Sequence, residues 1–164
     1  MKYFQTTRMI FIGFTLLALF ISCKKEALET DLASLQLLRG DLQLCGDGQF
    51  GNVRFSESCS FQTRETFDLA ISLLHSFEYI EAEKAFVKVV YEDPDCAMAY
   101  WGVAMSIYYG LWAPPGEDVL EKGNKLLAAA RDLPKSKQAA QYIEAIGAFY
   151  RDWENTDKPI RKEH

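Results

Sequence analysis

Residues 82–104 read AEKAFVKVVYEDPDCAMAYWGVA, and this stretch decides the fold. Its first half repeats apolar side chains at the three- and four-residue spacing of an amphipathic helix. That helix must end at Pro94, because proline has no N–H to donate and disfavours helical geometry in the residue before it. Asp95 is then placed to cap a following helix, which we expect to run from Cys96 to about Tyr109.

Helical periodicity continues on both sides of this stretch. Upstream, an apolar stripe predicts a helix between residues 61 and 77. Downstream, residues 111–116 are expected to form a stiff apolar loop, and Glu117 is expected to begin a helix whose acidic first turn suits the helix dipole. That helix runs to about Leu133, and Pro134 starts another. Short helices joined by short turns, without the alternation typical of strands, predict an all-α fold.

The first 22 residues have the features of a secretory signal peptide. Lys2 and Arg8 supply positive charge ahead of an apolar run from Met9 to Ile21, which is too short for a comfortable membrane span. The run ends at Cys23 and resembles the lipobox of bacterial lipoproteins, in which the cysteine is acylated and becomes the mature N-terminus. The resemblance implies a lipid anchor in the cell envelope, and we expect the outer membrane, facing the periplasm. An ordinary signal peptide with a chance cysteine and an uncleaved anchor are the alternatives.

The charge of the mature chain argues against nucleic acid as a partner. Removal of residues 1–22 takes away Lys2 and Arg8 and no acidic residue, so 16 Lys and Arg face 23 Asp and Glu, a formal net charge of −7. Binding to phosphate requires a basic surface, and so does electrostatic adhesion to anionic lipid. We therefore expect the lipid anchor to be the chain's contact with the membrane.

Residues 23–60 are expected to form a partly irregular N-terminal segment, with a short helix at 26–38 followed by a glycine-rich loop. An exported chain meets an oxidising compartment, so a disulfide is allowed there. We predict a bridge between Cys45 and Cys59, which flank the glycine-rich loop, and expect Cys96 to pack as a small apolar residue. The spacing alone leaves the connectivity open.

A repeat is visible in the helical part of the chain. Ala82, Phe86, Val89 and Pro94 carry the small, aromatic, aliphatic and proline spacing of a second tetratricopeptide helix. One period later, the second helix is displaced by an insertion of roughly seven residues relative to the ideal repeat. A small residue lets two helices approach, and a large one fills the gap above it.

Several strings in this region resemble a poorly characterised family of bacterial tetratricopeptide-repeat proteins. They are LHSF at 74–77, DCAMAYWG at 95–102 and AMS at 104–106, and the second is the most specific. The preceding CGD at 45–47 and the group Phe55, Ser58 and Cys59 are similar to the same family, so the resemblance spans roughly residues 40–155. The resemblance implies a helical-hairpin solenoid over residues 61–155 and no established chemistry. It also implies that the chain is the N-terminal part of a longer protein, with residues 156–164 as a tail or a truncated continuation.

In such a solenoid the first helix of each repeat lines a concave face. The resulting groove is aromatic and rich in methionine, which is typical of surfaces that accept peptides or partner helices. The alternative is that the lining is core, buried by missing C-terminal repeats or by the helix around residues 28–38 folding back. The predicted groove residues are Arg64, Phe67, Ile71, Leu74, His75, Met98, Trp101, Met105, Tyr108 and Tyr109.

We therefore expect a protein- or peptide-binding scaffold without enzymatic activity and without a cofactor. The sequence contains no phosphate-binding glycine loop and none of the common hydrolase motifs. A metal-handling envelope protein is one alternative, since imidazole, thiolate and thioether groups suit soft metals, although no paired ligand spacing supports it. A structural segment of a larger complex is another. The side chains behind the metal alternative are His75, Cys96, Met98 and Met105.

Overall fold

The computed structural model describes residues 34–44, 46, 49–57, 59–108 and 115–155. The chain divides into two compact units, Met1–Gln36 and Leu37–His164. Of the first unit, the structure describes residues 34–36, which end in a turn.

Several sequence predictions fall outside the described residues. These are the signal peptide at 1–22, the lipidation site Cys23, the half-cystine Cys45, the groove residue Tyr109 and the tail at 156–164. Most of the predicted helix at 26–38 also lies outside, and its last two residues, 37 and 38, are not helical.

The part of the chain that the structure describes contains helices and no strand, which confirms the all-α fold. The third helix ends at Ser106, earlier than the expected end near Tyr109. The fifth begins with Ser136 as its N-cap, whose hydroxyl accepts the Ala139 N–H at 3.0 Å. No helix among these residues combines the length and the apolar composition needed to cross a membrane. The helices are α1 (Arg64–His75), α2 (Tyr79–Glu92), α3 (Ala97–Ser106), α4 (Glu117–Asp132) and α5 (Lys137–Tyr150).

Each helix packs against the next, and the alternate helices α1, α3 and α5 also contact one another in order. The connections at residues 76–78, 93–96 and 133–136 are three or four residues long. Such short connections make neighbouring helices antiparallel. Consequently α1, α3 and α5 form one layer of the domain, and α2 and α4 form a second layer against it.

Two glycines let the layers approach closely. A Cβ atom on Gly102 of α3 would lie 2.3 Å from the Phe86 ring of α2, and one on Gly123 of α4 would lie 2.1 Å from the Tyr150 ring of α5. Tyr150 is fully buried, and its hydroxyl donates to the Ala104 carbonyl oxygen at 2.7 Å. Burial raises the pKa of this phenol, so it stays a neutral hydrogen-bond donor in the core.

The turn between α2 and α3 differs in one respect from the sequence prediction. The N-cap of α3 is Cys96 rather than Asp95, and no side chain caps the helix. The backbone closes the turn instead, because the Cys96 N–H donates to the Asp93 carbonyl oxygen at 3.0 Å. The Tyr100 hydroxyl adds a bond of 2.9 Å to the Pro94 carbonyl oxygen.

Candidate functional site

The predicted concave groove is largely part of the hydrophobic core. Phe67, Ile71, Leu74, Met98 and Trp101 are each at most 8% exposed. An open aromatic lining is therefore the wrong description for these five side chains. The remaining predicted groove residues divide as follows: Met105 and Tyr108 are half-buried, Arg64 and His75 are exposed, and Tyr109 lies outside the described residues.

Phe55 is the residue that fills the groove. Its ring lies parallel to Trp101 at 6.0 Å between ring centroids, and contacts Phe67 at 6.0 Å and Tyr142 at 5.5 Å. Its N–H donates to Asp68 Oδ1 at 3.0 Å. Because the three partner rings belong to α1, α3 and α5, one side chain covers the face that these helices share. Such aromatic contacts add about 0.5–1.5 kcal/mol per pair beyond the burial of surface.

The segment that carries Phe55, here called the lead-in (residues 37–60), is also bound to α2. The Gln43 N–H donates to Glu81 Oε2 at 2.9 Å. The Arg39 guanidinium lies over the Tyr91 ring, 3.9 Å from its centroid, and donates to the Tyr91 hydroxyl. The lead-in is therefore packed onto both helical layers by specific side chains, although it contains little regular structure.

Two buried glutamates on α2 serve as attachment points for the lead-in. Glu83 pairs with Lys122 of α4 at 2.6 Å and accepts the Leu38 N–H at 3.5 Å. Glu81 pairs with Lys84 at 2.9 Å. Burial by itself raises the pKa of the Glu81 carboxyl, but the Lys84 ammonium and the lead-in N–H outweigh burial and leave the pKa below its ordinary value. Both carboxylates thus act as structural acceptors.

A disulfide joins the lead-in to the start of α3. It connects Cys59 with Cys96, so the predicted bridge between Cys45 and Cys59 is wrong, and so is the description of Cys96 as a free packed residue. The reason is tertiary. The Ser60 N–H donates to Asp93 Oδ2 at 2.9 Å, which brings the end of the lead-in to the turn that precedes α3.

An open cleft of about 790 Å³ lies between residues 50–55 and α1. Arg54 and Arg64 both line it, both are exposed, and neither forms an ion pair with another described residue. Glu65 and Asp68 are on the same wall, and Asp68 accepts the Phe55 N–H. The apolar part of the lining comes from Phe50, Val53, Phe55, Phe61 and Leu69.

The backbone beside this cleft also lacks hydrogen-bond partners among the described residues. Residues 52–54 belong to no helix or strand, and their N–H and C=O groups make no hydrogen bond to any other described residue. Backbone N–H and C=O groups of this kind are available to form hydrogen bonds with an incoming segment. Phe61 projects at the cleft with 84% of its surface exposed. The cleft therefore offers unpaired backbone, two cations and an exposed ring.

Sequence reasoning found Arg64 but missed Phe55 and Arg54. Both lie in an irregular stretch, where no periodicity marks which side chains face inward. The residues behind the metal alternative are not brought together as a site: His75 is exposed at the end of α1, Met98 is buried, and Cys96 is in the disulfide.

No protein-family model, no curated protein sequence and no solved structure matches the chain. The functional conclusion therefore rests on the chemistry of the groove and of the cleft beside it.

Proposed function

We propose that this chain is a tetratricopeptide-like scaffold without enzymatic activity, held on a bacterial envelope membrane by a lipid on Cys23. In this proposal its open cleft binds an extended segment of a partner protein. The observation that carries the proposal is a pair of arginines, Arg54 and Arg64, beside the backbone of residues 52–54. Among the described residues, neither arginine has an ion-pair partner and this backbone has no hydrogen-bond partner. The second candidate function is that of a structural segment within a larger complex, in which the same cleft would contact the neighbouring subunit.

The arrangement of the helices supports the repeat part of the proposal. The starts of α1 and α3, at Arg64 and Ala97, are 33 residues apart, close to the 34-residue tetratricopeptide period. The starts of α3 and α5, at Ala97 and Lys137, are 40 residues apart because the connection between α3 and α4 is long. Ala82 and Phe86, at the expected small and large packing positions, are fully buried.

The chemistry of the cleft defines the partner segment. Guanidinium groups bind carboxylates with paired, charge-assisted hydrogen bonds, and they retain their charge at every physiological pH. The aromatic lining favours an aromatic or aliphatic side chain next to that carboxylate. Because Glu65 and Asp68 share the wall, a segment with many negative charges is disfavoured. We therefore expect an extended segment in which one acidic residue stands beside a large apolar one.

Site-specific photocrosslinking from the cleft tests this proposal. A benzophenone side chain replaces Phe61 at the cleft, and in a matched variant it replaces Ile80, which is 53% exposed on α2. In native membranes we expect one protein adduct from position 61 and not from position 80. Sequencing of the crosslinked peptide is expected to show an acidic residue beside a large apolar residue.

A charge-matched pair of variants provides the control. The Arg54→Glu, Arg64→Glu double variant should lose at least nine-tenths of the adduct, because two attractive contacts become repulsive (on the order of 1.4 kcal/mol per tenfold loss). The Lys88→Glu, Lys125→Glu double variant changes the net charge equally on exposed parts of α2 and α4 and should keep the adduct. An adduct that survives reversal of the two arginines contradicts the proposed site.

The lipid anchor has a separate test. Mass spectrometry of the N-terminal peptide from membrane-purified protein should show Cys23 as the first residue, carrying acyl chains. Each acyl chain contributes about 0.8 kcal/mol per buried CH₂, so a multiply acylated terminus holds the chain on the bilayer. The Cys23→Ser variant should lose the modification. A mature N-terminus at another residue, or an unmodified Cys23, would contradict the anchor and leave the cleft proposal standing.

A further inference from the structure

A second cluster of reactive groups lies at the turn between α2 and α3, away from the cleft. The Cys59 and Cys96 Sγ atoms and a carboxylate oxygen of Asp93 lie within 4.8 Å of one another. In the part of the chain that the structure describes, this is the one group of three histidine, cysteine or acidic side chains with a metal-ligand arrangement. The geometry points to a Zn²⁺ site at these three residues, available when the Cys59–Cys96 disulfide is reduced.

The surroundings of the cluster favour a cation. It opens onto a cavity of about 250 Å³, whose walls include the carboxylates of Glu57, Asp93 and Asp95. Lys135 is the one basic residue in this lining, and its ammonium already donates to the carbonyl oxygens of residues 131 and 133. The cavity therefore carries an excess of negative charge beside two sulfur atoms, and it gives an ion a route from solvent.

The distances fit zinc with only small adjustments. The Cα atoms of Cys59 and Cys96 are 5.2 Å apart. Two thiolates on one tetrahedral Zn²⁺, with Zn–S bonds of about 2.3 Å, stand about 3.8 Å from each other, a separation that side-chain rotation supplies after reduction. Asp93 is held in place by the Ser60 N–H, a bond of the kind that orients ligating carboxylates.

Loading of the site requires an external dithiol reductant and Zn²⁺, and with these two its atoms and electrons balance. A dithiol reductant transfers two electrons and two protons to the disulfide, which yields the two cysteine thiols and the oxidised dithiol. Zn²⁺ then binds both sulfurs as thiolates, and two protons are released. The carboxylate of Asp93 is the third protein ligand, and the fourth position is open to water.

The two thiolates and one carboxylate favour zinc over other metal ions. Two thiolates disfavour Mg²⁺ and Ca²⁺, which prefer oxygen ligands, and the carboxylate disfavours Cu(I), which prefers sulfur. Zinc accepts both kinds of ligand in tetrahedral geometry. The disulfide and the zinc site are thus two alternative cross-links between the lead-in and the start of α3, one for oxidising and one for reducing conditions. This inference is independent of the peptide-binding cleft.

Cobalt substitution and thermal unfolding test the inference on the full chain. The reduced protein with Cys45→Ser, which removes a competing thiol, should bind one equivalent of Co²⁺ with a thiolate charge-transfer band, and Zn²⁺ should displace the cobalt. Zn²⁺ at 100 times its dissociation constant should raise the unfolding midpoint of the reduced protein, because a ligand of the folded state stabilises it. The oxidised protein should show neither the band nor the shift.

Two acidic residues in the same cavity provide a matched comparison. Asp93→Asn should weaken Co²⁺ binding at least tenfold, whereas Asp95→Asn, a change of the same charge outside the ligand cluster, should change it less than threefold. Adding Cys59→Ser should abolish the charge-transfer band. Absence of the band in the reduced protein overturns the inference. A band that survives Cys59→Ser, or a reduced protein whose stability Zn²⁺ does not change, overturns it equally.

Discussion

The Cys59→Ser, Cys96→Ser double variant should have a free energy of unfolding about 4 kcal/mol below that of the oxidised wild-type protein, measured by urea denaturation in metal-free buffer. The bridge spans 37 residues, and closing a loop of that length in the unfolded chain accounts for this magnitude in the chain-entropy model. The loss is large relative to the 5–15 kcal/mol that stabilises a typical domain. The lead-in should also separate more readily from the groove, because Phe55 stands four residues from Cys59.

The Cys45→Ser variant is the control for this prediction, and it should retain nearly the full stability. A tryptic digest without reduction gives an independent measurement. It should contain the peptides 55–64 and 89–122 joined by one disulfide, with the peptide 40–54 outside that pair. If Cys45→Ser instead lost the 4 kcal/mol, or if peptide 40–54 were linked to 55–64, the bridge would be the one that the loop spacing suggested.

Substitution of Gly102 by alanine should lower the free energy of unfolding by about 2 kcal/mol. The new Cβ would lie 2.3 Å from the ring of Phe86, a buried side chain that packs edge-on against both Phe67 and Trp101. Overpacking of this kind costs about 3 kcal/mol, and the better helix propensity of alanine returns about 1 kcal/mol. Because the Phe86 ring must move, Trp101 should move with it. This movement should disturb the packing of Phe55 against Trp101 and change the near-ultraviolet circular dichroism.

Gly147→Ala is the matched control, since it makes the same change inside another helix, α5. Its new Cβ would meet only the Nη2 and Cζ atoms of the Arg131 guanidinium, which is the end of a flexible side chain that can move. We expect this variant to be unchanged or up to about 1 kcal/mol more stable. Equal effects at the two glycines would show that helix propensity, and not the contact with Phe86, controls the outcome.

The groove shows why a pattern of helical positions does not by itself identify a binding surface. Phe67 and Trp101 have the spacing and the composition of a concave lining, and in the fold they do share one face of α1 and α3. An aromatic residue from an irregular segment then covers that face. The open surface is the cleft beside the same segment, and Arg54 and Arg64 both line it.

The sequence by itself determined that this region is helical and that α2 ends ahead of Pro94. Proline ends a helix through a local steric effect, and the apolar period of a helix depends on residues close together in the sequence. Both signals are therefore present in the sequence of Ala82–Pro94. The tertiary structure alone decided that Cys59 pairs with Cys96, that Phe55 fills the groove, and that Arg54 and Arg64 line one cleft. These contacts join an aperiodic segment to distant helices, and their free energy depends on which groups meet after the chain has folded.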